Sequence, residues 1–339
     1  MAGWLVWLQY LACTGVILYA GTRLSRYADI LAEKTGLGRT WIGLVGLAVV
    51  TSLPELVTGS SAILWVKAPD IAVGNLLGAC VLNLVILAVA DLYYPPGPIL
   101  SAADRGHLLA AAFGVVMLGV AALGITARGT FGRLNFGGYL GLSSPVLVIC
   151  YLMAMRAIYR YQRREMTEWR KEHKEQLLYS DLTLFQSAVN FGASALLVTA
   201  AAIWLPRAAE NMALLMGWHL TMVGTFFVAA VTTLPELVVT ISAMRLGAVD
   251  LAVGDLLGSL LVNVAMLGIM DLLYVNGSLL EMVSPENAGT ALMAIVMLGI
   301  AAAEMMYRPQ KKTFRWLSLG AFSLVFLYAA HIFVQMLAG

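Results

Sequence analysis

Long, continuously apolar runs alternate with short polar stretches along the whole chain. A membrane-spanning helix needs about 20 predominantly apolar residues, and ten runs satisfy that length. The runs are unbroken and lack the short alternating segments of a transmembrane barrel, so they predict α-helices. The predicted spans are 3–22, 41–65, 70–90, 107–125, 138–157, 184–205, 218–243, 249–270, 287–306 and 316–337.

Five predicted spans lie on each side of the one strongly polar stretch, between Arg156 and Asp181. Basic and acidic residues mix there at helical spacing, which predicts a solvated helical linker, with a regulatory or partner-binding role as the alternative. We therefore divide the chain into a first five-helix repeat (1–157), a charged cytoplasmic linker (158–183) and a second five-helix repeat (184–339). Because five is odd, the second half enters the membrane from the opposite side, which makes the repeats inverted.

Composition supports an all-α integral membrane protein and suggests its orientation. The 339 residues are 60% hydrophobic and 12% charged, whereas soluble proteins average about 25% charged residues. If the amino terminus is outside, 17 of the 21 Lys and Arg fall on the inner side, which predicts outside termini and a cytoplasmic linker. No basic stretch is interleaved with aromatics, so we expect membrane lipid and cations as partners, no nucleic acid and no obligatory protein partner.

Two motifs recur in the two halves. The segment TSLPE at 51–55 returns 181 positions later as TTLPE at 232–236. Each copy is followed by a second motif, and 70–92 aligned with 250–272 gives 11 identities in 23 positions. The shared Asp, Gly and Asn positions are hard to obtain by chance from two apolar helices, so they indicate an internal duplication.

Each first motif places a carboxylate and a proline within a predicted span. A carboxylate at the centre of a bilayer costs about 2.5–3.5 kcal/mol on insertion scales, and a cation bound by Glu55 and Glu236 would offset that cost. The alternative is a protonated carboxyl or one bonded to a neighbouring helix, which the repetition disfavours. Pro54 and Pro235 remove a backbone donor and predict broken helices with exposed carbonyls, although a packing kink is the simpler alternative.

Oxygen-bearing side chains recur every four residues on four predicted helices and therefore share helical faces. Neither His nor Cys shares these stripes, and hard oxygen ligands suit Ca²⁺, Na⁺ or Mg²⁺. Two ionised Glu balance one divalent ion or an equivalent charge of Na⁺ or H⁺. The stripes are Thr51 with Glu55; Thr232, Glu236 and Thr240; Asn75 and Asn83, with Ala79 between them; and Asp255, Ser259 and Asn263.

These motifs resemble the two alpha repeats of the cation/Ca²⁺ exchanger superfamily, and prokaryotic sodium/calcium exchangers in particular. The resemblance covers both repeats and the five-plus-five layout. It implies a multi-pass protein of a prokaryotic inner membrane that is not an enzyme, transports Ca²⁺ and Na⁺ and uses no organic cofactor. It also implies that Glu55 and Glu236 hold Ca²⁺ at the midplane, assisted by the carbonyls of Thr51 and Thr232.

The resemblance further implies flanking Na⁺ sites and transport by alternating access. The helices at 3–22 and 184–205 correspond to a gating pair that slides over the other eight. Asn83 and Asn263 match the polar residue that closes each second motif. The residues that the resemblance places near Na⁺ are Ala48, Ala229, Ser52, Thr233 and Ser259.

The chain departs from the family pattern at positions that bear on the coupling ion. Val50 and Val231 stand where the family usually has Gly. Ala79 lacks a hydroxyl expected near a Na⁺ site, and Asp255 replaces the usual Asn and adds a third carboxylate. Some members carry Asp where Asn263 stands. We expect a Ca²⁺/Na⁺ antiporter, with Ca²⁺/H⁺ exchange as the alternative. A passive cation channel and an intramembrane protease are disfavoured by the inverted repeats and by the lack of an activated nucleophile.

Overall fold

The computed structural model describes residues 3–37, 39–67, 69–94, 97–127, 141–172, 182–216 and 232–338. Within these ranges every regular element is helical, and six segments are long and apolar enough to cross a membrane. The helices are α1 (Gly3–Thr35), α2 (Arg39–Trp41), α3 (Ala48–Thr51), α4 (Leu53–Ser61), α5 (Pro69–Leu92), α6 (Ile99–Ala102), α7 (Gly106–Thr126), α8 (Ser143–Glu172), α9 (Leu184–Met216), α10 (Leu234–Arg245), α11 (Val249–Asp271), α12 (Leu279–Met282), α13 (Glu286–Tyr307) and α14 (Leu319–Ala338), with π-helical turns at Ile42–Leu47 and Ala62–Val66.

Three helices, α1, α8 and α9, run well past the ends predicted from hydropathy, and α9 continues to Met216. Helix α1 continues beyond residue 22 because polar side chains in its last turns are buried with partners: Ser25 donates to the Val239 carbonyl at 3.0 Å, and Asp29 pairs with Arg39. Helix α8 likewise continues without a break through the first part of the predicted linker. Residues 173–181 lie outside the described ranges, and the division of the chain at the linker stays a prediction.

The helix breaks predicted from the two prolines are confirmed. Ser52 has φ −85° and ψ 1°, and its counterpart Thr233 has φ −87° and ψ 2°, so both halves break in the same conformation. Pro54 and Pro235 follow in the first turn of α4 and α10. In the first turn the missing N–H costs no helical bond, whereas in an unbroken helix the ring would clash with the carbonyl four residues earlier.

The centre of the bundle is formed by α11, which is 94% buried over its most apolar 18 residues. A helix with buried residues on all its faces must be surrounded by neighbours, and α5, α7 and α8 pack against it. Helices α1 and α9 pack along each other. They expose large apolar side chains such as Leu11 and Leu196, as expected for a lipid-facing position.

Two glycines of α11 allow the broken helix of the first half to cross it at backbone contact. A Cβ added at Gly258 would lie 2.7 Å from both the Ala48 Cβ and the Leu44 Cα. A Cβ at Gly254 would lie 3.1 Å from the Thr40 carbonyl oxygen. These contacts bring α3 against α11.

Aspartates at the ends of α5 and α11 fix the turns that follow them. The Asp91 carboxylate accepts a hydrogen bond from the Ile99 N–H at 2.8 Å. The Asp271 carboxylate accepts one from the Leu279 N–H at 2.5 Å and another from the Ser144 hydroxyl at 2.6 Å. In both halves, therefore, the aspartate at the end of the helix accepts a backbone hydrogen bond from the turn that follows. The sequence alone shows only that the Asp is repeated.

Aspartates at the starts of the same helices clamp the two halves together. The Asp70 carboxylate accepts hydrogen bonds from the Ser284 N–H at 2.6 Å and the Asn287 amide at 3.0 Å, just before and within α13. The Asp250 carboxylate accepts one from the Asp104 N–H at 2.7 Å, just before α7. Each half thus stabilises the amino terminus of a helix in the other half.

Replacing Gly258 with Ala should lower the thermal stability of the protein. At an open helical position this change stabilises by up to about 1 kcal/mol, but at Gly258 the added methyl group would push α3 away from α11. We expect a lower melting temperature for the purified protein. Gly299→Ala is the matched control, because Gly299 is exposed on α13 with open space at its Cβ. Equal melting temperatures for the two variants would contradict the backbone contact.

Candidate functional site

The two intramembrane glutamates occupy equivalent places in the two halves. Glu55 lies in the first turn of α4 and Glu236 in the first turn of α10, directly after the breaks. Both side chains are 0% exposed. Among the described residues no donor is in hydrogen-bonding geometry with any of their four carboxylate oxygens. Helix amino termini favour negative charge, so the breaks help to place these carboxylates inside the bundle.

The carboxylates of the two halves face a common region. Glu236 interacts electrostatically with both Glu55 and Asp255. Outside strict hydrogen-bonding geometry, Glu55 also interacts with the side chain of Thr232, and Glu236 with that of Thr51. The threonine of each first motif therefore acts on the glutamate of the opposite half, which brings four of the predicted site residues together.

A hydrogen-bonded cluster lies where α3 crosses α11. The Thr51 hydroxyl is 3.2 Å from Oδ1 of Asp255 and 3.1 Å from the Ser259 hydroxyl. The Ser259 hydroxyl is also 3.4 Å from the carbonyl oxygen of Ala48. Each of these residues was predicted from the sequence, and the glycine contacts along α11 explain why they meet.

The remaining predicted residues are placed less completely. Ser52, Asn83 and Asn263 are buried, and in the part of the chain that the structure describes their side-chain polar atoms have no hydrogen-bond partner. Thr233 is buried at the second break. Ala229 lies outside the described residues.

Unpaired polar atoms are concentrated around the two breaks. A buried polar group without a partner costs about 1–3 kcal/mol, and a charged group costs more. The aspartates at the helix ends, in contrast, have backbone partners. The concentration at Glu55 and Glu236 therefore marks the place where the fold is suited to a ligand that supplies positive charge.

The donor set at this place suits a hard cation. The atoms on offer are carboxylate, amide, hydroxyl and carbonyl oxygens, which Ca²⁺ and Na⁺ prefer. Within the described ranges no group of three His, Cys, Asp or Glu side chains is arranged to hold a metal ion. A site here would therefore combine the two glutamates with neutral oxygens, and two carboxylates balance one divalent charge.

The site is not fully symmetric, and the sequence alone did not explain the difference. The four-residue stripe of the first half stops at Gly59, where an added Cβ would lie 2.9 Å from the sulfur of Met270. The matching position of the second half is Thr240, whose buried hydroxyl has no partner among the described residues. The aligned repeats already differ at this position, with Gly59 opposite Thr240. Only the fold shows that the Met270 side chain occupies the space beside Gly59.

Comparison with known proteins identifies relatives along almost the whole chain. A family model described as "Sodium/calcium exchanger protein" matches residues 5–162 and 186–337. The "Sodium/calcium exchanger MaX1" of Methanosarcina acetivorans is 30% identical over 279 residues, covering 73% of this chain and 77% of that protein. The "Inner membrane protein YrbG" of Escherichia coli is 24% identical over 254 residues, covering 74% of each chain.

Solved structures share the fold. A structure of the sodium–calcium exchanger NCX_Mj soaked with 2.5 mM Na⁺ and 1 mM Sr²⁺ superposes with a TM-score of 0.74 at 19% identity, over 97% of each chain. A second structure, soaked with 10 mM Na⁺ and zero Ca²⁺, gives a TM-score of 0.71 at 22% identity. The predicted all-α membrane fold of ten spans in two inverted repeats is thereby confirmed.

Excess Ca²⁺ should stabilise the purified protein against heat. A ligand at 100 times its dissociation constant adds about 2.7 kcal/mol to the folded state, and the paired glutamates are the charges that a divalent ion would compensate. We expect the Ca²⁺-induced rise in melting temperature to disappear in Glu55→Gln and in Glu236→Gln.

Glu281→Gln is the matched control, because Glu281 lies on α12, outside the site. It should keep the wild-type shift. A full Ca²⁺ shift in both site variants would show that the ion stabilises the protein elsewhere.

Proposed function

The chain belongs to the sodium/calcium exchanger protein family, and we propose that this cation exchanger is a secondary antiporter that exports Ca²⁺ in exchange for Na⁺. The observation that carries the proposal is the pair of fully buried carboxylates, Glu55 and Glu236, contributed by opposite halves. Because each half supplies one ligand, the ion lies at the interface that alternating access has to rearrange.

Charge balance gives the proposed site its exchange behaviour. The two glutamates compensate one Ca²⁺, and the carbonyl oxygens of Thr51 and Thr232 at the breaks are further ligands. Without a cation, two negative charges would have to remain buried, which is unfavourable in a low-dielectric interior. The loaded site therefore changes sides more readily than the empty one, which couples the outward step of one ion to the inward step of another.

Na⁺ is supported as the coupling ion by the neutral oxygens beside the glutamates. The Thr51 hydroxyl lies 3.1 Å from the Ser259 hydroxyl, which in turn lies 3.4 Å from the Ala48 carbonyl oxygen. Hard oxygen donors of this kind suit an alkali cation. The printed name of the relative from Methanosarcina acetivorans, a sodium/calcium exchanger at 30% identity, supports the same ion pair here.

Helices α1 and α9 are the proposed moving pair. They pack along each other, and α1 also contacts α10, which carries Glu236. Ser25 of α1 donates to the Val239 carbonyl, and a Cβ at Gly21 would lie 2.8 Å from Cγ1 of Val238. A displacement of the pair along the bundle would thus change the surroundings of one glutamate directly.

The proposed orientation has both termini outside and the linker cytoplasmic, in a prokaryotic inner membrane. The contacts that Asp250 and Asp70 make with the opposite half agree with this orientation. Asp250 and Asp104 meet at the end that the excess of Lys and Arg predicts to be cytoplasmic. Asp70 and Ser284 meet at the other end. The inner-membrane name of the Escherichia coli relative supports the location.

Ca²⁺/H⁺ exchange is the second candidate, and Asp255 is the observation that favours it. This third carboxylate is fully buried and interacts electrostatically with Glu236. A buried carboxyl near other carboxylates can carry a proton, which would let protons replace Na⁺ as the coupling ion.

Imposed gradients across proteoliposome membranes should separate the two candidates. We expect an outward Na⁺ gradient to drive Ca²⁺ uptake at equal pH on both sides, because Na⁺ leaving the vesicle supplies the free energy. A pH gradient without Na⁺ should drive little uptake. Uptake that follows only the pH gradient would establish H⁺ coupling, and uptake independent of both gradients would indicate a passive pathway.

Glu55→Gln and Glu236→Gln should each abolish Na⁺-driven Ca²⁺ flux, since either change leaves one charge of a divalent ion uncompensated. The loss should exceed about 100-fold, which corresponds to roughly 2.7 kcal/mol. Glu281→Gln should transport as the wild type does. Normal flux in both site variants would refute the site, whichever ion drives transport.

A further inference from the structure

We propose that the ion pair between Asp29 and Arg39 holds α1 at one position along the bundle, and that this pair has to open each time α1 slides. The inference rests on the proposed function, because that function assigns α1 to the moving pair of helices. Asp29 and Arg39 lie outside the ion site and act as positioning residues. They touch no transported ion, but they set the balance between the two positions of α1.

Polar side chains follow one face of α1 beyond its apolar stretch. Thr22, Ser25 and Asp29 are three and four residues apart and therefore share a helical face. The Ser242 hydroxyl donates to the Thr22 hydroxyl at 3.3 Å, and the Ser25 hydroxyl donates to the Val239 carbonyl at 3.0 Å. Both partners belong to α10. These two contacts hold the face that carries Asp29 against the bundle.

The Asp29 carboxylate is bound through both of its oxygens. Oδ1 accepts a hydrogen bond from the Arg39 Nε–H, and Oδ2 accepts one from Nη2 at 3.1 Å. The Asp29 side chain is 1% exposed, whereas that of Arg39 is 39% exposed. A bidentate pair of this kind is stronger and more demanding in its geometry than a single hydrogen bond. The buried member of the pair is therefore the one on the helix that is proposed to move.

Arg39 is fixed to the rest of the bundle. The carbonyl oxygen of the next residue, Thr40, lies 3.1 Å from the position of a Cβ added at Gly254, so α2 lies directly on α11. Arg39 also interacts electrostatically with Asp250, in the first turn of α11. The guanidinium thus interacts with a carboxylate of the moving helix and with a carboxylate of the bundle that it moves against.

The simpler role for this ion pair is to fix the turn between α1 and α2, because only three residues separate the two helices. A turn at the surface needs no buried carboxylate, however. Its arginine also needs no second carboxylate from the other half of the chain. The burial of Asp29 and the interaction of Arg39 with Asp250 therefore favour a role in connecting α1 to the bundle.

The ion pair distinguishes two positions of α1 in a way that the hydroxyl contacts do not. A hydroxyl such as that of Ser25 can exchange one backbone carbonyl for the next when a helix slides. A displacement that separates Asp29 from Arg39 would instead leave a buried carboxylate without its counter-charge, which is strongly unfavourable. Arg39 loses less, because it is more exposed and still interacts with Asp250. The pair therefore favours the position that α1 has in this structure.

Ca²⁺ transport measured from each side of the membrane, in right-side-out and inverted vesicles, tests the inference. The apparent affinity for an ion falls in proportion to the population of the state that binds it. In Asp29→Asn, the half-saturating Ca²⁺ concentration should therefore rise on one side and fall on the other. We expect the ratio of the two values to change by about 5-fold. A loss of folded protein would lower the maximal rate and move neither value. Arg26→Gln is the matched control, because Arg26 is exposed on the same helix, and it should keep the wild-type ratio.

Disulfide formation reports the position of α1 without any transport. A Cβ added at Gly21 would lie 3.5 Å from the Val238 Cβ, which is a separation that a disulfide spans. Limited oxidation of Gly21→Cys/Val238→Cys should join α1 to α10, as detected by mass spectrometry of the joined peptides. Adding Asp29→Asn should slow this reaction, because α1 then spends less time at the observed position. The disulfide should also stop Ca²⁺ transport until it is reduced.

Several results would overturn the inference. The first is a pair of half-saturating concentrations that stay unchanged, or shift in the same direction, in Asp29→Asn. The second is a rate of disulfide formation that Asp29→Asn does not alter, and the third is normal transport by the disulfide-joined protein. Asp29→Asn/Arg39→Gln should match Asp29→Asn, because both changes remove one interaction, and additive shifts would contradict this. If the wild type transports no Ca²⁺, the proposed function fails, and the rates of disulfide formation alone decide the role of the ion pair.

Discussion

The structure depends on two buried carboxylates that interact electrostatically and that, among the described residues, have no donor in hydrogen-bonding geometry. Glu55 and Glu236 come from opposite halves, and both are completely buried. Like charges in a poorly polarisable interior repel each other strongly, so this arrangement would not be stable for its own sake. A cation bound between them would replace the repulsion with attraction. Three features keep the two carboxylates in place for a cation. These are the helix breaks, the neighbouring hydroxyls and the interface between the halves.

The surrounding helices provide the rigidity that such a site needs. A proline follows the same backbone conformation in both halves, so that each glutamate lies in the first turn of a helical segment that begins there. Gly254 and Gly258 let the broken helix lie directly on α11, which fixes Thr51 beside Asp255 and Ser259. At the crossing of α3 and α11, the glycines allow the two backbones to approach closely, and the polar side chains provide the oxygen atoms that could bind an ion.

Much of this could be predicted from the sequence because the duplication marks the important positions twice. The repeated Thr, Pro and Glu predicted the breaks, and the four-residue spacing predicted which oxygens share a face. The ends of the helices could not be predicted in the same way. Helix α1 continues past its apolar stretch because Ser25 and Asp29 have partners on distant helices, and such partners are invisible to hydropathy. The filling of the Gly59 gap by Met270 likewise depends on contacts between halves.

The aspartate clamps between the halves have a consequence for how the protein is made. The amino terminus of α7 receives its partner from Asp250, and Asp70 receives its partners from the start of α13. Chains are synthesised from the amino terminus and tend to fold in that order. The first five spans therefore leave the ribosome with these groups unpaired and must wait for the later spans. A prematurely terminated chain would therefore expose unsatisfied polar groups that the finished protein pairs.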